Sequence, residues 1–189
     1  ILSIFSLGVI SLRLDQLHSF SVLPGQKLRD PYGRVIKKLR VSLLDVCNFR
    51  CFYCMPEQPK FLHSKNWLRP SEIEAICSTL VDFGLSEIRL TGGEPTLRPD
   101  LKDIVDRLSD LEISKLGITT NGATLQKYLG FLSKTKCKSL NISLDSLDRR
   151  TFNKVTRTDA FDRVVASILD AHQMGFQVKL NTVLMRGVN

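Results

Sequence analysis

Glu87-Ile88-Arg89-Leu90-Thr91-Gly92-Gly93-Glu94-Pro95 decides how this chain folds. An otherwise apolar strand, Glu87 to Thr91, runs into a glycine pair, and Leu101, Ile104, Val105 and Leu108 then recur at helical spacing. Strand, glycine turn and amphipathic helix in that order make a βα unit. The same rhythm extends in both directions. Upstream, Leu39 to Leu44 reads as a strand, and a helix begins at Ser71, where Ser71 and Glu74 match a capping box. Ile73, Ile76, Cys77 and Leu80 share one face of that helix, and Gly84 stops it. Downstream come strands at Lys115 to Thr119, Ser139 to Leu144 and Gln177 to Leu184, with helices at Leu125 to Leu132 and Phe161 to Met174. Helical crossovers between parallel strands curl one way, so the pattern predicts an α/β fold built as part of a TIM-like β/α barrel.

The unusual residues gather at one end of these strands. A cysteine loop follows the first strand, Gly92-Gly93-Glu94-Pro95 the second, Thr120-Asn121-Gly122 the third and Ser143-Leu144-Asp145 the fourth. In barrel folds the rim at the strand C-termini carries the chemistry.

Cys47, Cys51 and Cys54 are spaced C-x3-C-x2-C. A [4Fe-4S] cluster normally takes four thiolates, so three would leave one iron open to a substrate or cofactor. Zinc usually requires a fourth ligand. None of His18, His63 and His172 is paired with another ligand at close spacing, Cys77 falls on a helix core face, and Cys137 precedes the fourth strand as a buried bystander. An odd total of five cysteines, with three crowded together, suits a reducing compartment and a metal site better than a disulfide scaffold, and points to the cytoplasm.

A net charge of +8 and a pI near 9.4 favour an anionic partner. The charge is scattered, with no basic run longer than Lys37-Lys38, which disfavours nucleic acid. Arg40, Arg89 and Lys179 each interrupt an apolar strand. Either carboxylates satisfy them internally, or they face a wet cavity and an anion. Glu94 offers a carboxylate for an ammonium group. Asn121-Gly122 reads first as a turn, and Ser143 and Asp145 as caps for the helix after the fourth strand.

Residues 1–27 form an apolar leader or irregular extension, and residues 28–189 the core domain. Ile1 to Leu12 is uncharged but too short to span a bilayer, so no membrane partner is expected. Both ends read like those of a fragment.

These motifs resemble the radical S-adenosylmethionine (SAM) superfamily, whose hallmark is C-x3-C-x2-C followed by a Gly-Gly-Glu-Pro-like loop. Leu28-Arg29-Asp30, Gly33-Arg34, Leu39-Arg40-Val41-Ser42, Cys47-Asn48-Phe49-Arg50-Cys51, Tyr53-Cys54-Met55-Pro56, Ile88 to Pro95, Thr119 to Gly122 and Asn141 to Asp145 are similar to the GTP 3′,8-cyclase family. That family carries out the first step of molybdenum cofactor biosynthesis.

The resemblance implies a partial (βα)6 barrel, truncated after about the fifth strand. It implies a [4Fe-4S] cluster on Cys47, Cys51 and Cys54, and SAM contacts from Tyr53, Gly93, Glu94 and Ser143. Arg40, Arg89, Thr119 and Lys179 would contact GTP. A 5′-deoxyadenosyl radical would take the 3′ hydrogen of GTP, and the resulting carbon radical would attack guanine C8. A one-electron reductant is required, and a homodimer is left open.

Two departures stand out. Leu44-Asp45-Val46 precedes the first cysteine where the family usually has threonine before the aspartate and arginine after it. A C-terminal region with a second three-cysteine cluster, expected to bind guanine, is absent, so the reaction should not be completed by these residues alone. The rival readings are a radical SAM enzyme with another substrate and a non-catalytic iron–sulfur or metal-binding domain.

Overall fold

The computed structural model describes residues 27–189. The apolar stretch from Ile1 lies outside the described residues. A small antiparallel bridge, Arg29 to Val35, leads into the sheet. Its turn is closed by Asp30, whose Oδ1 accepts the Tyr32 and Arg34 amides at 2.9 Å.

Five parallel strands follow: β1 (Lys38–Ser42), β2 (Glu87–Thr91), β3 (Lys115–Thr120), β4 (Cys137–Ser143) and β5 (Gln177–Asn181). They are separated by α1 (Pro70–Asp82), α2 (Leu101–Asp110), α3 (Gln126–Leu132), α4 (Arg149–Thr156) and α5 (Phe161–Gln173). The strand order is β1-β2-β3-β4-β5. Doubly wound sheets reverse direction at a switch point, whereas a monotonic order belongs to a barrel wall.

Side-chain alternation gives this sheet two unlike faces. Ile88 and Leu90, Leu116 and Ile118, and Leu140 and Ile142 are buried with Leu101, Ile104, Val105 and Leu108 of α2 and with the apolar faces of the other helices. Each such side chain contributes about 2 kcal/mol by leaving water. The opposite face is polar at nearly every position. Its successive rows include Lys38, Glu87 and Lys115, then Arg40, Arg89, Gly117, Ser139 and Gln177, then Thr119, Asn141 and Lys179. TIM barrels fill this space with branched apolar layers. Here the interior is left polar.

Several expectations shift. β1 ends at Ser42, and Leu43 and Leu44 are buried just beyond it. β5 ends at Asn181, leaving Leu184 82% exposed. The start of α1 is fixed by Pro70 in its first turn and by Glu72, whose carboxylate accepts the Arg69 backbone N–H at 2.7 Å. Ser71 lies inside the helix, and Glu74 pairs with Arg107 of α2 at 2.7 Å. Helix α4 was not anticipated. Asp148 caps it by accepting the Thr151 amide at 2.8 Å, so neither Ser143 nor Asp145 does.

Arg98 is the least expected core residue, at 2% exposed. Its guanidinium donates to the carbonyls of Leu43 and Leu68 and pairs with Asp100 at 2.6 Å, over the Trp67 ring. It thereby ties the end of β1 to the entry of α1. Its hydrogen bond holds Asp100 below the usual carboxylate range, so this stabilisation is present above the ordinary aspartate pKa and lost as pH falls through the lowered one. Arg98→Met strands both carbonyls and should destabilise the fold by about 3 kcal/mol in urea denaturation. A loss below about 1 kcal/mol would show that the clamp is dispensable.

Candidate active site

The cysteine loop is the crossover leaving β1, and three sets of contacts hold it, two from α4 and one from the β2 exit. Its hydrophobic anchor is Phe49, 3% exposed and packed edge-on against Phe152 of α4, 6.0 Å between centroids. The last turn of α4 provides carbonyls that no helical partner can reach. Val155 and Thr156 use theirs to accept the Phe52 and Arg50 amides at 3.2 and 2.9 Å. The Arg50 side chain folds back onto the Cys47 and Phe49 carbonyls at 2.6 and 2.8 Å.

The third support is Gly92-Gly93. The Gly93 amide donates to the Leu44 carbonyl at 2.6 Å, and the Glu94 amide to the Val46 carbonyl at 2.8 Å. A Cβ on Gly93 would sit 2.2 Å from the Val46 carbonyl oxygen, and one on Gly92, at φ +150°, would sit 2.5 Å from that of Leu44. The glycine pair lets the β2 exit pair edge to edge with the backbone leading into Cys47, a closer contact than any side chain permits.

Glu94 departs from expectation. It is fully buried, and none of its surface reaches the cavity beside the cysteines. Oε1 accepts from the Thr96 amide, the Thr96 hydroxyl and the Thr120 hydroxyl at 3.1, 2.5 and 2.6 Å, and Oε2 accepts the Asn121 amide at 2.6 Å. Burial pushes its pKa up while these donors pull it down. With both oxygens engaged by these donors, it ties the β2 and β3 exits together.

Cys47, Cys51 and Cys54 line a cavity of about 140 Å³ together with Tyr53, Gly93, Thr119, Asn121 and Ser143. Burial raises the pKa of Cys47, and burial with the nearby Asp145 charge pushes Cys51 up to about 12, so without a metal both are thiols. Bound iron would displace those protons. Cys47 Sγ accepts the Phe49 amide at 3.4 Å and the Asn121 side-chain amide at 3.7 Å, contacts that suit a thiolate ligand. No group of three or more His, Cys, Asp or Glu among the described residues closes around a single ion. Three sulfurs lining one cavity fit a polynuclear cluster better than zinc. Cys77 and Cys137 are fully buried elsewhere in the core.

Tyr53 donates its hydroxyl to Asp145 Oδ2 at 2.7 Å, and Oδ1 of the same carboxylate accepts the Val183 amide at 2.9 Å. Burial, then this hydrogen bond, raises the Tyr53 pKa. Asp145 therefore fixes a cavity side chain to the chain beyond β5.

A second cavity of about 380 Å³ opens on the same polar face, lined by Arg40, Arg89, Lys115, Asn141 and Lys179 among others. Arg89 donates to Ser139 Oγ at 3.0 Å and to the Ile118 carbonyl at 3.4 Å, with no carboxylate partner among the described residues. Burial and the like charge of Arg40 lower its pKa. Gly117 makes the room, since a Cβ there would meet Arg89 Nη1 at 3.0 Å and the Ser139 carbonyl at 2.5 Å. Of the four residues expected to act together, Arg40, Arg89 and Lys179 share this groove, while Thr119 lies on the cysteine cavity. Thr119 and Lys179 flank Asn141 in one register row, so the two cavities are adjacent.

The sequence matches the radical SAM superfamily over residues 41–189. The chain belongs to that superfamily. It is 45% identical over 168 residues to the GTP 3′,8-cyclase of Synechocystis sp., covering 88% of this chain and 51% of that protein. The Vibrio vulnificus enzyme of the same name is 39% identical over 168 residues, at 87% and 50% coverage. Molybdenum cofactor biosynthesis protein 1 of Drosophila melanogaster is 45% identical over 164 residues, covering 86% of this chain and 29% of that protein. The chain thus spans about half the length of the curated cyclases it matches. Among solved structures, Streptococcus suis SuiB bound to S-adenosylmethionine superposes with a TM-score of 0.70 at 22% identity, over 80% of this chain and 35% of that one. The anSMEcpe structure with bound AdoMet gives 0.61 at 18%, over 76% and 43%. The five-stranded sheet is therefore part of a radical SAM barrel.

Gly93→Ala should abolish iron loading on anaerobic reconstitution, because its Cβ cannot coexist with the Val46 carbonyl. Wild-type iron content per chain in the folded variant would show that the cysteine loop does not depend on this contact.

Proposed function

We propose that this chain forms the catalytic barrel of a GTP 3′,8-cyclase, acting in the first step of molybdenum cofactor biosynthesis. The observation that carries the reading is the cationic groove beside the cysteine cavity. Arg40, Arg89 and Lys179 come from three strands, and Lys115 from a fourth, onto one polar face. Arg89 makes no ion pair with a described carboxylate, and Glu87, the acid lining this groove, is paired with Lys38 at 3.2 Å, so a triphosphate would supply the counter-charge the cations lack. A neutral or basic peptide would leave these cations without an acid to bind, and a triphosphate concentrates more charge on them than a single carboxylate, which favours the nucleotide.

Arg40, Arg89 and Lys179 sit mid-strand in β1, β2 and β5 and Lys115 at the start of β3, while the cysteine loop lies beyond the C-terminus of β1. A nucleoside triphosphate bound there would point its phosphates down the barrel and its sugar toward the cysteine cavity. Cys47, Cys51 and Cys54 would hold the [4Fe-4S] cluster, with Tyr53, Gly93 and Ser143 contacting S-adenosylmethionine. When bound, this pair supplies one-electron cleavage chemistry and a hydrogen-abstracting radical. Thr119, on the cavity wall next to the row that ends in Lys179, would meet the sugar end of GTP. The protein's part would be to position both ligands.

Only the three loop cysteines are free to bind metal here, since Cys77 and Cys137 are buried singly. A second, guanine-binding cluster would therefore belong to sequence beyond Leu28 to Asn189. A low-potential one-electron donor and a cytoplasmic location complete the reading, with neither nucleic acid nor membrane as partner. No helix among the described residues is long and apolar enough to cross a membrane.

Arg89→Ala should weaken GTP binding by calorimetry at least tenfold while changing S-adenosylmethionine binding by less than about twofold, as expected for one lost charge-assisted contact. Equal loss of both affinities would contradict the assignment of the groove.

A further inference from the structure

Asn121 was legible only as a turn residue, yet its side chain reaches the cysteine loop. Its Oδ1 accepts the Ala123 amide at 3.0 Å, which fixes the amide orientation and turns Nδ2 outward. The two Nδ2 hydrogens are then divided, one to Asn48 Oδ1 at 2.7 Å and one to Cys47 Sγ at 3.7 Å. The backbone of Asn121 is itself pinned, through its N–H on the buried Glu94 carboxylate at 2.6 Å. Cys47 Sγ also receives the Phe49 amide at 3.4 Å. Two N–H donors thus converge on one ligand sulfur, and the side-chain donor comes from a different βα unit.

We propose that Asn121 is a positioning residue that sets the reduction potential of the cluster by donating to the Cys47 sulfur, with Glu94 holding it in place. The inference rests on the cluster reading of the three cysteines. Adding one electron increases negative charge on the ligand sulfurs, so a donor aimed at a sulfur stabilises the reduced form more than the oxidised form. The electron comes from the external one-electron reductant. Asn121 transfers nothing itself. Glu94 holds the Asn121 backbone while the Asn121 side chain reaches Cys47, so the Gly-Gly-Glu-Pro loop acts on the cluster through the position of this residue.

The test is a potentiometric titration of the anaerobically reconstituted 189-residue chain, followed by electron paramagnetic resonance, with iron counted per chain. Asn121→Ala should load iron as the wild type does. At a fixed potential its ratio of reduced to oxidised cluster should fall about tenfold, a downward shift of about 59 mV for a one-electron couple. Asn121→Asp keeps the acceptor for Ala123, loses the donor and adds a charge, so its potential should fall further. Asn48→Ala removes the competing acceptor but leaves the sulfur contact, so its potential should hold or rise.

An unchanged potential in both Asn121 variants overturns the inference while leaving the cluster reading intact. So does failure of both to load iron, or an equal fall in Asn48→Ala, because the amide would then only fasten the loop. A wild-type chain that takes up no iron overturns the cluster reading itself.

Discussion

A single buried carboxylate holds the rim of this barrel together. Glu94 is fully buried and has no cation in an ion pair among the described residues, so its two oxygens depend on four hydrogen bonds from Thr96, Thr120 and Asn121. Losing this acceptor would leave several buried donors unsatisfied, at about 1–3 kcal/mol each. Because the donors come from two successive βα connections, satisfying Glu94 fixes those loops relative to each other. The β2 exit is then held where Gly92 and Gly93 meet the backbone before Cys47, and the β3 exit where Asn121 meets Cys47 and Asn48. The cysteine loop has little regular structure of its own. Its shape is borrowed from these neighbours and from the C-terminus of α4.

The second organising feature is the polar inner face of the sheet. An ordinary barrel gains much of its stability from apolar layers inside. This one packs the large apolar residues of its three central strands against the helices and leaves Arg40, Arg89, Asn141 and Lys179 lining the groove on the opposite face. Burying an unpaired guanidinium is costly, and here Ser139 and the Ile118 carbonyl offset part of that cost for Arg89. The remaining electrostatic demand is the physical basis for an anionic ligand. Sodium chloride would screen such an exposed groove, so binding there should also be salt-sensitive.

How much of this was legible in the sequence depended on whether the cause was local. Strand–helix alternation, the cysteine spacing and the glycine pair are local, and the barrel wall with its rim of motifs followed from them. The charged residues Arg40, Arg89 and Lys179 declared themselves by interrupting apolar strands, although only the structure decided between an internal partner and a cavity. The misses were set by distant contacts. Glu94 reads as a free acid in a loop, and nothing nearby in sequence shows that Thr120 and Asn121 will close over it. Arg98 looks like a surface residue until Leu43 and Leu68 arrive. Gly117, inside a strand, was a signal for a close approach that went unused. Helix α4 was legible in principle, since Asp148 and Thr151 make an N-cap and Phe152 and Val155 share a face, but its brevity hid it.

The central claim is that the three cysteines hold a cluster with one iron open to S-adenosylmethionine in the cavity shared with Tyr53, Gly93 and Ser143. The most direct measurement is the electron paramagnetic resonance spectrum of the reduced, reconstituted chain with and without S-adenosylmethionine. The cofactor should perturb the cluster signal, as direct coordination of the open iron requires. A cluster that forms fully yet gives the same spectrum in both samples would contradict it.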